Sequence, residues 1–135
     1  MDLRLKSCVL IVDDDPSIRL LLVTYLRRQG YQMLEARNGR EALTSMRAGS
    51  VDLVVLDLVM PEVSGLDVLR ERAADPSLLR IPMIVVSASN TGKVLADVLD
   101  KRVSAVIAKP FDLDTLLTTV AKCLEHPNVL ALDAA

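Results

Sequence analysis

The sequence has few aromatic residues: two tyrosines, one phenylalanine and no tryptophan in 135 residues. Because 51% of the residues are hydrophobic, a buried core is available, but aliphatic side chains and methionine must build it. Only two cysteines are present, Cys8 and Cys123, and a chain of this length folds without disulfide or metal cross-links. We expect two small buried thiols, with a disulfide between them as the alternative.

Long apolar runs and an excess of positive charge are also missing. No apolar run approaches the roughly 18 residues of a membrane span, and the N-terminal MDLRLKS lacks the apolar segment of a secretory signal. The net charge is −2, so the chain carries no electrostatic footprint for nucleic acid or an anionic membrane. We expect a cytoplasmic protein that contacts neither directly.

Five stretches have the length and composition of β-strands. Four of them are continuously apolar rather than alternating, which indicates strands buried on both faces, as in a parallel sheet. These four are Cys8–Val12, Val51–Leu56, Met83–Val86 and Val103–Ala108. The fifth, Tyr31–Ala36, contains Gln32 and Glu35 and is predicted to be an edge strand.

Helix signals lie between and after these strands. The predicted helices start at Asp15-Pro16, Asn38-Gly39, Gly65, Asn90 or Thr91, and Asp112, and they end near Gly30, Arg47, Ala74, Asp100 and His126. The alternation predicts an α/β fold, a doubly wound parallel sheet of five strands flanked by five helices. We expect one domain over residues 1–126, whereas residues 127–135 have no partner element and are predicted to be a tail or the start of a linker.

Charged or hydroxyl-bearing side chains directly follow four of the apolar runs. They are Asp13, Asp14 and Asp15 after the first strand, then Asp57, Ser87 and Lys109. Because ligand sites of open α/β sheets lie at the carboxyl edge, we expect these groups to converge, with Asp15 serving as a helix cap. Carboxylates that lie close together repel one another and need a cation between them. Mg²⁺ prefers oxygen ligands of this kind. A carboxylate can also attack phosphorus, and an ammonium and a hydroxyl then stabilise the transferred group.

Four segments together resemble the receiver domain of two-component response regulators. VLIVDDDPSIR is similar to its first strand and acidic pair, DLVVLDLVMPEVSG to its phosphoacceptor strand, IVVSAS to its fourth strand and AVIAKPF to its lysine-proline turn. The resemblance covers about Cys8 to Leu124. It implies a flavodoxin-like sheet in strand order 2-1-3-4-5 and a non-enzymatic role in phosphorelay signalling. A histidine kinase or histidine phosphotransfer protein would phosphorylate Asp57, and the modified domain would switch an unknown downstream protein.

The resemblance also implies a role for each site residue. The Mg²⁺ ligands would be Asp14, Asp57, the backbone carbonyl of Val59 and, through water, Asp13. Lys109 would contact the phosphoryl group, Ser87 would turn its hydroxyl onto it, and the Lys109–Pro110 bond would be cis.

Three positions depart from the family pattern. Val106 stands where receivers usually have a switch tyrosine or phenylalanine. Val59 and Ser89 occupy the variable positions beside the site, and Val59 has no polar group to orient an attacking water. The segment Lys101–Ser104 lacks the glycine often found before the fifth strand, which predicts an unusual loop geometry.

The first predicted helix is more apolar than one buried face requires. Ile18, Leu22 and Tyr25-Leu26 form the predicted inward stripe, which leaves Leu20 and Val23 facing outward. This surplus is interpreted as a docking surface for a helical phosphodonor, the use that the family resemblance implies. A wide buried stripe is the alternative.

Two other functions compete with phosphoryl acceptance at Asp57. Asp13-x-Asp15 mimics the nucleophile and acid pair of haloacid-dehalogenase-like phosphatases, with Asp13 as nucleophile, but that interpretation leaves Asp57 without a role. A pseudo-receiver, which has the same fold and acts as an adaptor without phosphorylation, is favoured only by Val106.

Overall fold

The computed structural model describes residues 7–58, 65–88 and 102–125, together with the backbone of 131–132. The strands are β1 (Cys8–Val12), β2 (Gln32–Ala36), β3 (Leu53–Asp57), β4 (Met83–Ser87), β5 (Ala105–Ala108) and β6 (Ala131–Leu132). The helices in this part are α1 (Pro16–Arg28), α2 (Gly39–Arg47), α3 (Gly65–Ala74), α4 (Pro76–Leu79) and α5 (Leu113–Glu125). The helix predicted from Asn90 or Thr91 to Asp100 lies outside the described residues.

All strand pairs are parallel, and the sheet order is β2-β1-β3-β4-β5-β6. The first five strands confirm the predicted flavodoxin-like order. The prediction that residues 127–135 have no partner element is wrong for Ala131 and Leu132, which pair with Ala105 and Val106. The reason is that β5 ends the predicted sheet, so its outer edge offers backbone groups to any extended segment that reaches it.

Aliphatic residues fill both faces of the sheet, as the scarcity of aromatics requires. One cluster joins the sheet to α2 and α3, and the other joins it to α1 and α5. Every residue of β1, β3 and β4 is buried, whereas Gln32 and Glu35 of β2 are exposed. The continuous and interrupted apolar runs therefore marked central and edge strands correctly.

The ends of the elements follow from local chemistry. Asp15 accepts a hydrogen bond from Ser17 N and begins α1, and Asn38 accepts one from Glu41 N and begins α2. Gly30 and Gly49 end these helices with φ of 102° and 94°. The predicted starts of two strands were too early. They were placed at Val51 and Val103, whereas β3 begins at Leu53 and β5 at Ala105.

The inward face of α1 differs from the predicted stripe. Leu22, Val23 and Leu26 are buried, so the expectation that Val23 faces outward is wrong. Leu20 is 67% exposed, as predicted, and Leu21 is 43% exposed beside it. Because Val23 and Leu22 are both buried, the inward face of α1 is rotated slightly from the predicted face. Hydrophobic periodicity alone does not define this rotation.

Cys8 and Cys123 are free and buried, which confirms the prediction of two small thiols.

Arg102 has a φ of 57°, so the glycine-free segment before β5 does adopt the unusual left-handed geometry. Within the described ranges, no helix has both the length and the apolar character to cross a membrane.

Candidate functional site at the carboxyl edge of the sheet

The loop after β1 holds the first two carboxylates of the site. Asp13 N donates to Ala36 O at 3.1 Å, which ties the loop to the end of β2. Asp13 Oδ1 in turn accepts from Asp15 N at 2.9 Å, a tight turn that leaves Asp13 buried and Asp14 exposed at the rim. Asp15 caps α1, as the sequence analysis expected.

Asp57 is the last residue of β3 and is only 6% exposed. The backbone directly after it is held on both sides, since Leu58 N donates to Val86 O at 3.2 Å and Gly65 N donates to Leu58 O at 3.1 Å. The Asp57 carboxylate therefore projects from a fixed backbone at the centre of the sheet, between β1 and β4.

The hydroxyl comes from the end of β4, which neighbours β3, and the lysine directly follows β5, the next strand outward. Ser87 ends β4 and is buried, and its carbonyl accepts from Lys109 N at 2.9 Å. Lys109 Nζ lies 3.3 Å from Asp57 Oδ2, with the lysine side chain 31% exposed. The Lys109–Pro110 bond is cis, as the family resemblance implied.

Three carboxylates meet at this edge. Oxygen atoms of Asp13, Asp14 and Asp57 all lie within 4.8 Å of one another. Burial raises the pKa of Asp13, and the nearby Asp57 carboxylate raises it further, against the hydrogen bond from Asp15 N. This all-oxygen, crowded and partly open donor set fits a hard divalent cation such as Mg²⁺. Val59, predicted to add a backbone carbonyl, lies outside the described residues, as does Ser89.

Val106 occupies the predicted switch position and is an 8% exposed member of the core cluster on the α2 and α3 side. It pairs with Val85 of β4, two residues before Ser87. A small aliphatic side chain therefore packs in the sheet where the family usually has a ring.

Two residues support the site without having been predicted. Arg19 Nη1 donates to Asp13 O at 2.7 Å and Arg19 Nε to Glu35 Oε1 at 3.4 Å, so α1 holds the acidic loop against β2. A Cβ on Gly65 would lie 2.6 Å from Asp57 O. The arginine has no sequence signal beyond its charge in an apolar helix, whereas the glycine starts a predicted helix and ends the segment that resembles the phosphoacceptor strand.

A family model described as the response regulator receiver domain matches residues 9–121. The chain is 39% identical over 119 residues to the CAI-1 autoinducer sensor kinase/phosphatase CqsS of Vibrio cholerae, covering 87% of this chain and 17% of that protein. It is 36% identical over 123 residues to the DNA-binding transcriptional regulator NtrC of Rhizobium meliloti, covering 90% and 25%. The chain therefore spans a quarter or less of the length of these relatives.

Solved receiver structures have the same fold. A response regulator receiver protein from Pseudomonas putida superposes with a TM-score of 0.81 at 32% identity, covering 87% of this chain and 97% of that one. The response regulator TrrA of Thermotoga maritima, in complex with Mg²⁺ and BeF, superposes with a TM-score of 0.74 at 34% identity, covering 86% and 97%.

Proposed function

The chain belongs to the response regulator receiver domain family, and on that basis we propose that Asp57 accepts a phosphoryl group. As a receiver domain it takes part in phosphorelay signalling. One observation carries the proposal: Lys109 Nζ lies 3.3 Å from Asp57 Oδ2 at the edge where three carboxylates meet. An ammonium beside a strand-end carboxylate is the pair that an aspartyl phosphate needs.

The covalent step is a displacement at phosphorus. A carboxylate oxygen of Asp57 attacks the phosphorus of a phosphohistidine, the P–N bond breaks, and the imidazole nitrogen leaves with the bonding electrons and takes a proton from solvent. With acetyl phosphate the P–O bond breaks instead and acetate leaves. The chain modifies only its own side chain and turns over no other substrate.

Mg²⁺ is the proposed cofactor, with Asp14 and Asp57 as direct ligands, Asp13 acting through water and the Val59 carbonyl completing the set. When bound, the cation would neutralise the carboxylates and draw charge from the phosphoryl oxygens. Support comes from the oxygen atoms of three acids within 4.8 Å, a surplus of negative charge that a cation would neutralise.

Lys109 and Ser87 then stabilise the transferred group. The Lys109 ammonium, which faces Asp57 before the reaction, would pair with a phosphoryl oxygen afterwards. Ser87 ends the adjacent strand, so its hydroxyl can donate to a second phosphoryl oxygen with a side-chain rotation. Because Ser87 and Val106 lie on β4 and β5, this rotation is the proposed start of the signal toward a downstream protein.

Intact-mass measurement after incubation with acetyl phosphate and Mg²⁺ tests the proposal. We expect one phosphoryl group on the wild type, none without Mg²⁺ and none on Asp57→Asn. Asp52→Asn is the matched control, because Asp52 precedes the opposite end of the same strand, where it accepts a hydrogen bond from Cys8 N at 2.7 Å, and it should label like the wild type.

The competing functions give different results in the same experiment. Phosphate on Asp13 would support the phosphatase, which the family membership does not favour. A folded wild-type protein that takes no label under any condition would support the pseudo-receiver and contradict phosphoryl acceptance at Asp57.

The proposed donor is a histidine kinase or a histidine phosphotransfer protein that docks on α1 through Leu20. Leu20 and Leu21 are 67% and 43% exposed, and an apolar side chain at a helix surface is a common contact for a partner helix. Val23 no longer belongs to this surface, since it is buried.

A charge at Leu20 tests this docking surface. Leu20→Glu should slow transfer from a phosphorylated histidine phosphotransfer protein that labels the wild type, yet leave acetyl phosphate labelling unchanged. Leu34→Glu is the control, since Leu34 is 37% exposed on β2 and pairs with Leu10 of the opposite core cluster. Equal transfer to wild type and Leu20→Glu would remove Leu20 from the docking surface.

Three further expectations stay predictions: that residues 1–126 form one domain, that the protein is cytoplasmic, and that it contacts neither nucleic acid nor membrane directly. Named relatives include a sensor kinase and a DNA-binding regulator, so receivers of this kind occur in longer proteins of both classes.

A further inference from the structure

Arg19 connects three segments at the carboxyl edge of the sheet. It lies near the start of α1, and its side chain is only 13% exposed. Arg19 Nη1 donates to Asp13 O at 2.7 Å, and Arg19 Nε donates to Glu35 Oε1 on β2 at 3.4 Å. One guanidinium therefore binds the acidic loop and the edge strand at once, because its donors form a rigid planar fork.

The bond from Arg19 completes the fixation of Asp13. The backbone N–H of Asp13 donates to Ala36 O at 3.1 Å, and Asp13 Oδ1 accepts from Asp15 N at 2.9 Å. The carbonyl is the other backbone polar group of this residue, and Arg19 gives it a short, charge-assisted hydrogen bond. The backbone N–H of Arg19 also donates to Asp15 O at 3.0 Å, so α1 holds both ends of the acidic loop.

This fixation bears directly on the proposed cation site. The carbonyl that Arg19 binds belongs to the peptide bond between Asp13 and Asp14, so a shift of this peptide moves both carboxylates relative to Asp57. Oxygen atoms of these three acids lie within 4.8 Å of one another in the present arrangement. Loss of a group that holds metal ligands in place lowers metal affinity by about 10–100-fold in other proteins.

The charge of Arg19 by itself predicts the opposite effect. A guanidinium beside the acidic loop repels a divalent cation, so its removal would tighten cation binding if charge alone mattered. The ion pair with Glu35 offsets part of this repulsion. The sign of the change in cation affinity therefore distinguishes a holding role from a purely electrostatic one.

We infer that Arg19 is a positioning residue of the cation site: it holds the Asp13–Asp14 peptide in the geometry that the cation requires, and this effect outweighs the repulsion from its charge. This role rests on the proposed Mg²⁺ site. Arg19 itself would contact neither the cation nor the phosphoryl group, since its guanidinium binds a backbone carbonyl and Glu35.

Titration of Mg²⁺ into the isotope-labelled chain, followed through amide chemical shifts, tests this role without a phosphate donor. Arg19→Gln should weaken Mg²⁺ binding about tenfold. Arg37→Gln is the matched control, because it removes the same charge directly after β2. The Arg37 side chain is 71% exposed and pairs with Glu41 Oε2 at 3.0 Å, so Arg37→Gln should bind Mg²⁺ at least as tightly as the wild type.

A second variant and a second readout cover the case in which Arg19→Gln folds poorly. Arg19→Lys keeps the charge and loses the planar fork, and it should bind Mg²⁺ less tightly than the wild type. In the metal-free protein, the amide of Asp13 should exchange faster in both Arg19 variants, while amides of β4 should keep their wild-type rates. A general loss of stability would instead accelerate exchange in β4 as well.

Wild-type or tighter Mg²⁺ binding in either Arg19 variant, equal weakening in Arg37→Gln, or unchanged exchange at Asp13 would each overturn the positioning role. Asp14→Asn separates this outcome from a failure of the cation site. If Asp14→Asn binds Mg²⁺ like the wild type, the proposed ligands are wrong and the role of Arg19 falls with them. If Asp14→Asn binds weakly and Arg19→Gln binds normally, only the role of Arg19 is wrong.

Discussion

Gly65 shows how closely the backbone packs around the proposed phosphoacceptor. A Cβ built on Gly65 would lie 2.6 Å from both Asp57 O and Leu58 Cα. Real Cβ atoms do not approach backbone atoms so closely, so any side chain there must displace the end of β3. The sequence marks Gly65 as a helix start and as the end of the segment that resembles the phosphoacceptor strand, whereas its main restriction comes from the strand that it touches.

Gly65→Ala should therefore impair both folding and phosphorylation. We expect a loss of about 1–3 kcal/mol in the free energy of unfolding from overpacking, together with slower labelling by acetyl phosphate because the Asp57 carboxylate moves. Urea denaturation and intact-mass kinetics measure the two effects.

Gly49→Ala is the matched control for this substitution. Gly49 has a φ of +94° but open space around its Cβ position, so alanine costs about 1–2 kcal/mol through backbone strain alone. Labelling should stay at the wild-type rate. Unchanged labelling in Gly65→Ala would contradict the coupling between this glycine and Asp57.

Cys123 is the second residue whose environment predicts a measurable effect. It is 3% exposed on α5, and burial raises the pKa of its thiol from 9.0 to about 11. Because the folded-state pKa lies above the unfolded value, the neutral thiol stabilises the fold fully below pH 9, and this contribution is lost as the pH rises toward 11.

The wild type should lose more stability between pH 9 and 11 than Cys123→Ala does. The difference in free energy of unfolding should reach about 2 kcal/mol. Each pKa unit corresponds to about 1.36 kcal/mol, and the rise from 9.0 to about 11 is discounted because the thiol is not completely buried. Chemical denaturation at several pH values measures it. Parallel pH profiles for the two proteins would show that burial does not keep the thiol neutral.

At the scale of elements, the same local signal begins two helices. Asp15-Pro16-Ser17 and Asp75-Pro76-Ser77 each place an aspartate whose carboxylate accepts from the serine backbone N–H, at 2.8 Å and 3.0 Å. The first was predicted as a helix start, whereas Pro76 was interpreted only as a residue beyond α3. The cap was equally visible in both, but the second helix has only four residues.

Arg72 connects three elements from inside the protein. This α3 residue is 2% exposed, and its guanidinium donates to the carbonyls of Leu79, Ile81 and Arg102 at 2.9–3.3 Å. Burial lowers its pKa to about 10, so it remains charged at neutral pH. It therefore fixes the segments that lead into β4 and β5.

Arg72→Met should lower the free energy of unfolding by about 2–4 kcal/mol, because it removes charge-assisted hydrogen bonds and leaves part-buried carbonyls without this donor. Arg70→Met, two residues away, is the control. Arg70 makes an exposed ion pair with Asp67 at 3.4 Å, so its loss should change stability by about 0.5 kcal/mol or less. Equal effects in denaturant titrations would show that the buried guanidinium contributes no more than a surface pair.

At the scale of the whole molecule, the strand order assembles the site. The carboxyl ends of β1, β3 and β5 bring Asp13, Asp14, Asp57 and Lys109 to one edge although they are up to 96 residues apart in sequence (13 to 109). Only the folded chain concentrates these charges, so a cation that binds the three acids binds the native state alone. Its binding free energy then adds to the stability of the fold.

Mg²⁺ should therefore raise the melting temperature of the wild type, and EDTA should reverse the effect. At ten times its Kd the cation adds about 1.4 kcal/mol to the free energy of unfolding. Asp14→Asn removes a proposed ligand from the exposed rim of the site and should abolish most of this gain. A melting temperature that rises equally in both proteins would mean that Mg²⁺ binds elsewhere or unspecifically.

Local sequence patterns were sufficient for much of the fold and of the site. Continuous apolar runs identified the buried strands, and Asp15, Asn38 and Gly30 marked helix ends because capping depends on neighbouring backbone groups. The convergence of Asp57 and Lys109 followed from the alternation of strands and helices, since parallel strands share one carboxyl edge. The strand order itself came from the family resemblance.

Contacts between distant segments were decided only by the tertiary structure. The sequence did not show that Val23 is buried or that Arg72 is buried and donates to three carbonyls. It also did not show that Ala131–Leu132 pairs with β5. Periodicity determines that a residue has a covered face, but which partner covers it depends on elements far away in the chain. For the same reason, sequence alone predicts a reactive Asp57, whereas the fold determines which side chains surround it.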